Sequence, residues 1–123
     1  MILSVDPDRA LPVYEQVREQ IKRMVAAGTL KAGTRLPTIR QLATDLGLAK
    51  GTIERAYELL EADTVIAMRG REGSFVLEMT KASKQQQTLE LDAAAESLVV
   101  IARQLGADQA ATLEAVRRMW RNL

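Results

Sequence analysis

The 123-residue sequence contains no cysteine and no histidine. Without cysteine there is no disulfide framework. Without histidine a zinc site would need carboxylates alone, and imidazole-based acid–base catalysis is excluded. No serine-centred constellation and no phosphate-cradling glycine loop of recognised spacing takes their place. Aromatic residues are only 3% of the chain and do not interleave with basic ones, which argues against binding RNA or single strands by base stacking. No apolar run approaches the ~20 residues of a membrane span. The opening Met1-Ile2-Leu3-Ser4-Val5-Asp6-Pro7 has neither the basic region nor the long apolar stretch of a signal peptide. These absences favour a cytoplasmic binding protein over an enzyme, with no metal, no cofactor and no membrane partner.

Net charge is also small: 17 Lys and Arg against 16 Asp and Glu leave +1. A nucleic-acid interface must then come from where the charges sit, with a basic face opposed by an acidic one.

What is present is a segment from Leu36 to Val76, LPTIRQLATDLGLAKGTIERAYELLEADTVIAMRGREGSFV, that reads as helix, tight turn, helix and hairpin. Thr38 is an N-cap for a helix to about Asp45, with Ile39, Leu42, Ala43 and Leu46 facing inward. Gly47 supplies the left-handed residue of the turn. A third helix from about Lys50 to Ala62 buries Ile53, Ala56, Tyr57 and Leu60. Val65–Arg69 and Ser74–Leu77 read as strands around the turn Gly70-Arg71-Glu72-Gly73. Ahead of them, Ile2–Val5 is a short strand or an extended arm, and Pro12 takes the first position of a helix. Val13, Val17, Ile21, Met24 and Val25 form that helix's stripe, and Gly28 stops it. Leu30–Thr34 reads as a turn leading to Arg35. Met24, Met68, Met79 and Met119 read as packing residues.

The fold class expected is mainly α with a small β-wing: a winged helix-turn-helix domain over residues 1–78. Residues 79–88 are polar and form a linker or a helix start. A two-helix tail over 89–123 follows. Leu91, Ala94, Leu98, Ile101 and Leu105 recur at spacings of three and four. After Gly106, Asp108 caps a last helix marked by Ala110, Leu113, Val116, Met119 or Trp120, and Leu123. These faces either dock on the winged domain or pair with a second subunit. Pairing is favoured, because a dimeric reader grips two half-sites by two-fold symmetry. The dimer surface is assigned to Leu91, Ala94, Leu98, Ile101, Leu105, Leu113, Val116 and Trp120.

Small and polar side chains at the exposed start of a second helix suit the major groove. Lys50, Gly51, Thr52, Glu54 and Arg55 lie there, and Arg40 projects from the preceding helix. Arginine's planar fork fits guanine edges and phosphates alike. Arg69, Gly70 and Arg71 sit at the wing tip, suited to a phosphate strand or the minor groove. The partners expected are double-stranded DNA, a second copy of the chain and room for an unidentified small-molecule effector. The effector's natural places are the cleft between domain and tail or the dimer interface. An alternative is a winged-helix module that binds protein and reads no DNA.

Several motifs now combine: Pro12–Val17, Gly28–Ala43 (GTLKAGTRLPTIRQLA), Leu46-Gly47-Leu48, Thr52-Ile53, Arg55-Ala56-Tyr57 and Leu60-Glu61. Over residues 11–77 they resemble the GntR family of bacterial transcription regulators. The short helical tail resembles its YtrA-like subfamily. The resemblance implies a dimeric winged-helix repressor, often of transporter operons. It carries DNA contacts to Arg40, Lys50 and Thr52, and a minor-groove approach to Arg69 and Gly70. Three residues depart from the family pattern. Ala49 replaces a capping Ser or Thr, a loss of roughly 1 kcal/mol to the helix. Glu54 replaces a basic contact, and can instead accept from a cytosine amino group. Asp63-Thr64 replaces a glycine turn, so strain is expected there.

Overall fold

The structure, a computed structural model, describes residues 1–79 and 83–123. Among them are helices α1 (Val13–Ala26), α2 (Ile39–Leu46) and α3 (Lys50–Ala62), strands β1 (Ile66–Met68) and β2 (Ser74–Val76), and helices α4 (Lys84–Gln104) and α5 (Gln109–Asn122). Two compact units result: residues 1–79, and a second containing α4 and α5. The antiparallel wing pairs Ile66 with Val76, Ala67 with Phe75 and Met68 with Ser74. The fold is the expected mainly α winged helix with a helical tail. Among the described residues no helix is long and apolar enough to cross a membrane.

The first unit closes over Val17 and Ile21 of α1, Ile53, Tyr57 and Leu60 of α3, and Ile66 of β1, all without solvent exposure. Removing each such side chain from water contributes about 1.5–3 kcal/mol. The Tyr57 hydroxyl donates to the Pro37 carbonyl at 2.8 Å, so the buried ring ties α3 to the chain just ahead of α2. Burial pushes its phenol pKa well up, and it stays a neutral donor.

The ends of the helices refine the sequence reading. Pro12 precedes the first helix instead of occupying its first turn: at φ −54°, ψ 147° it is the extended N-cap residue, and its carbonyl accepts from the Gln16 amide at 3.0 Å. Helix α1 ends at Ala26, two residues before Gly28. Thr38 caps α2 as expected, in a reciprocal box with Gln41. Ala49 gives α3 no side-chain cap. The Gly70–Glu72 turn winds into one 3₁₀ turn, and the two strands are shorter than expected. Residues Ile2–Val5 are the extended arm, not a strand. Leu3 is buried in the core. Gln20 brackets Ser4, accepting from its amide and donating to its carbonyl, and Gln16 does the same for Asp6.

Helix α3 ends in a Schellman turn: the Thr64 amide bonds to the Glu61 carbonyl and the Val65 amide to the Leu60 carbonyl. This puts Thr64 at φ 58°, the one non-glycine residue with positive φ among the described residues, where α2 and α4 use Gly47 and Gly106. A β-branched residue there carries strain of order 1–3 kcal/mol. Thr64→Gly is therefore expected to stabilise the chain by about 0.5–1 kcal/mol, after the extra unfolded-state entropy of glycine. A urea midpoint that falls would contradict this. The turn is braced on both sides. Arg18 of α1 donates from Nη2 to Asp63 Oδ2 at 2.6 Å and also holds Glu15, while Lys22 approaches Asp63 at 3.4 Å. Burial alone would raise the Asp63 carboxyl, but Arg18 and Lys22 outweigh it and hold it below the usual carboxylate range. Glu61 accepts the Met68 amide at 2.6 Å, fixing the wing to the end of α3.

In the second unit α4 starts at Lys84, capped by Ser83. The stretch 84–88 is therefore the helix start, the second of the two expected alternatives. Thr80, Lys81 and Ala82 of the expected linker lie outside the described residues. Asp108 caps α5 through the Ala111 amide at 2.8 Å. Ala102 is the only buried residue of α4, and α5 has none. Met24 and Met68 pack on the core. Met79 and Met119 do not pack as expected; they are 76% and 51% exposed.

Candidate nucleic-acid interface

Helix α2 turns through Gly47 into α3, and the Leu48 amide returns to the Ala43 carbonyl at 2.9 Å. This short connection sets the start of α3 beside α2. Lys50, Gly51 and Glu54 at that start are exposed and Thr52 is half-buried. The inward positions Ile53, Ala56, Tyr57 and Leu60 hold the opposite side in the core. Arg40 is exposed in the first turn of α2. Among the described residues neither Arg40 nor Lys50 is in an ion pair. With Ala49 in place of a hydroxyl, the first amides of α3 have no side-chain acceptor. An uncapped helix start bearing a lysine is suited to an anion.

Arg55 is placed differently from its neighbours. Its guanidinium carbon lies 4.5 Å from the centroid of the Tyr14 ring, so the side chain leans on α1. Such a cation–π contact contributes about 0.5–1 kcal/mol at an exposed site. At the wing, Arg69, Gly70 and Arg71 are exposed at the turn, and Arg69 sits 5.6 Å from the Phe75 ring centroid.

The turn reading of Leu30–Thr34 missed a third edge of the wing. Arg35 forms an antiparallel bridge with Phe75. The Gly33 amide donates to the Val76 carbonyl at 2.8 Å, the Val76 amide to Thr34 at 2.9 Å, and the Leu36 amide to Ser74 at 2.8 Å. The stretch is too short and too close to Pro37 for an alternating pattern to reveal it. The inward Leu36 beside the outward Arg35 was the one available signal. Among the described residues no cluster of acidic side chains is placed to hold a metal.

Comparison with known proteins places this geometry. Residues 13–76, more than half of the chain, match the family described as bacterial regulatory proteins, gntR family. The chain is 40% identical over 104 residues to the HTH-type transcriptional regulator Rv1152 of Mycobacterium tuberculosis, covering 85% of this chain and 82% of that one. It is 36% identical over 81 residues to the HTH-type transcriptional repressor YtrA of Bacillus subtilis, covering 65% and 62%. Among solved structures, a transcriptional antiterminator from Listeria monocytogenes EGD-e superposes with a TM-score of 0.84 at 25% identity, covering 97% of this chain and 90% of that one. YtrA from Sulfolobus acidocaldarius, a GntR-family transcription factor, does so at 0.64 and 29%, covering 87% and 100%. The DNA-binding domain of AraR in complex with operator ORE1 matches at 0.52 and 25%, covering 62% and 93%. The relatives are named as regulators, not as enzymes. The chain thus belongs to the GntR family, in its YtrA-like subfamily, and is a DNA-binding transcriptional regulator.

Proposed function

We propose that the chain is a cytoplasmic repressor that binds an inverted-repeat operator as a homodimer. The observation that carries this reading is the uncapped start of α3, with Lys50, Gly51 and Glu54 exposed and Thr52 half-buried, together with an exposed Arg40 in the first turn of α2. In this reading α3 enters the major groove. Arg40 and Lys50 contact guanine edges or phosphates, Thr52 supplies a hydroxyl, and Gly51 allows close approach of the backbone. Glu54 accepts from a cytosine amino group and repels phosphate, which makes it a discriminator. Arg55, seated on Tyr14, serves the flanking backbone. Arg69, Gly70 and Arg71 bring the wing to the neighbouring minor groove. The tail stripe Leu91, Ala94, Leu98, Ile101 and Leu105, with Leu113, Val116 and Trp120, joins two copies. A repressing role is supported by the name of the Bacillus relative, and a transporter operon as target by the subfamily resemblance.

Arg40→Ala and Lys50→Ala are each expected to weaken operator binding by about 1–3 kcal/mol, with thermal midpoints unchanged because both side chains are exposed. Fluorescence anisotropy on the operator duplex reads the first effect and calorimetric melting the second. Wild-type affinity in both variants would remove α2 and α3 as the reading surface. Affinity absent or flat across a salt titration would favour a protein-binding module instead.

A further inference from the structure

We propose that Arg35 is a further phosphate-contacting residue, part of a basic wing face seated on Gly73; this rests on the reading of the wing as a duplex contact. Arg35, Phe75 and Ala67 stand opposite one another across three paired segments. Side chains alternate between the faces of a sheet. Leu36, Val76 and Ile66 are buried, so the row Arg35–Phe75–Ala67 faces outward. Arg69, two residues beyond Ala67, returns to that outward face. Its amide donates to the Gly73 carbonyl at 2.9 Å, and its guanidinium lies over Phe75.

Gly73 shows where the Arg35 side chain goes. A Cβ built at Gly73 would stand 2.7 Å from Arg35 Nε and 3.2 Å from Nη2. The guanidinium therefore occupies the space above the Gly73 backbone. It reaches from the sheet to the turn that carries Arg69 and Arg71. A side chain at 73 would displace it, and the φ of +101° there disfavours one as well.

Charge balance supplies the second argument. Arg18 and Lys22 meet Glu15 and Asp63, and Arg117 and Arg121 meet Glu114. Among the described residues no such carboxylate meets Arg35, Arg69 or Arg71. Arg35 and Arg69, the two like charges drawn to the outward face of the sheet, gain nothing from each other. They do gain from a phosphate strand, whose oxygens the guanidinium fork fits.

The test titrates wild type, Arg35→Gln and Arg35→Lys with a fluorescently labelled mixed-sequence duplex from about 50 to about 200 mM salt. Arg35→Gln is expected to lower the slope of log affinity against log salt by about 1. Arg35→Lys retains the wild-type slope, and both variants keep the wild-type thermal midpoint. A wild-type slope in Arg35→Gln overturns the assignment. So does equal weakening of both variants at unchanged slope, since that marks a packing role alone. If the wild type shows no salt-sensitive duplex binding, the reading of the wing falls and the assignment falls with it. A salt-sensitive wild type with an unaffected Arg35→Gln overturns the assignment alone.

Discussion

Ile101→Asp is expected to convert the proposed dimer to a monomer and to lower affinity for an inverted-repeat operator by about 10²–10⁴. Ile101 lies on α4 and is 53% exposed, next to Leu98 and Leu105 on the same stripe; on α5 Trp120 is 84% exposed. Large apolar side chains left exposed along a helix in this way are the kind of surface that marks an interaction site. Inside an interface the new carboxylate would be buried without a partner, a strongly destabilising placement. Each free monomer would then hold one half-site, losing the gain from tethering two readers. Sedimentation velocity reads the assembly, and anisotropy reads the binding. The circular dichroism of the helices should be unchanged, because Ile101 is not part of a core within its own unit. A variant that remains dimeric would move the interface elsewhere. A wild type that is already monomeric at micromolar concentration would remove the dimer from the account.

Tyr57→Ala should cost about 3–5 kcal/mol of stability, a large share of the roughly 5–15 kcal/mol typical of a folded domain. The ring is fully buried between α3 and the rest of the core. Its loss opens a cavity and leaves the Pro37 carbonyl without its hydroxyl donor. Tyr57→Phe keeps the ring and removes only that hydrogen bond, at a cost of about 1 kcal/mol. Urea denaturation separates the two; an alanine variant no less stable than the phenylalanine variant would contradict the placement. The upward shift of the phenol also has a pH signature. Below the ordinary tyrosine value near pH ~10 the group is neutral in both states and adds no pH dependence. Above it the unfolded chain ionises first, and stability declines. Because Pro37 directly precedes the cap of α2, the hydroxyl also fixes where Arg40 stands relative to α3.

Local chemistry explains which features the sequence made legible. The capping box at Thr38 and Gln41, the left-handed Gly47 and the inward stripe of α3 each depend on residues within four positions. The strain at Asp63-Thr64 was legible only through the resemblance, which places a glycine in that turn; the structure gives Thr64 a φ of 58° there. Non-local placements were not readable. The edge formed by Gly33–Leu36 exists only because β2, some forty residues later, accepts it. The seat of Arg55 on Tyr14 depends on α1, some forty residues earlier, and has no local signal in the sequence. The helix start at Lys84 was obscured because the glutamines that follow carry no apolar period, and α4 is largely exposed there. In the candidate site, composition and spacing picked out cations of α2, α3 and the wing tip that the structure leaves exposed. The place of Arg35 beside the wing is visible only in the sheet pairing.

The most direct measurement is selection of the purified 123-residue chain against a randomised duplex pool at moderate salt. The account predicts enrichment of an inverted repeat, with cytosine-containing steps where Glu54 would read and half-sites spaced for two copies of α3. Salt-sensitive binding without enrichment of any symmetric sequence would contradict it, because phosphate contacts alone carry no sequence information.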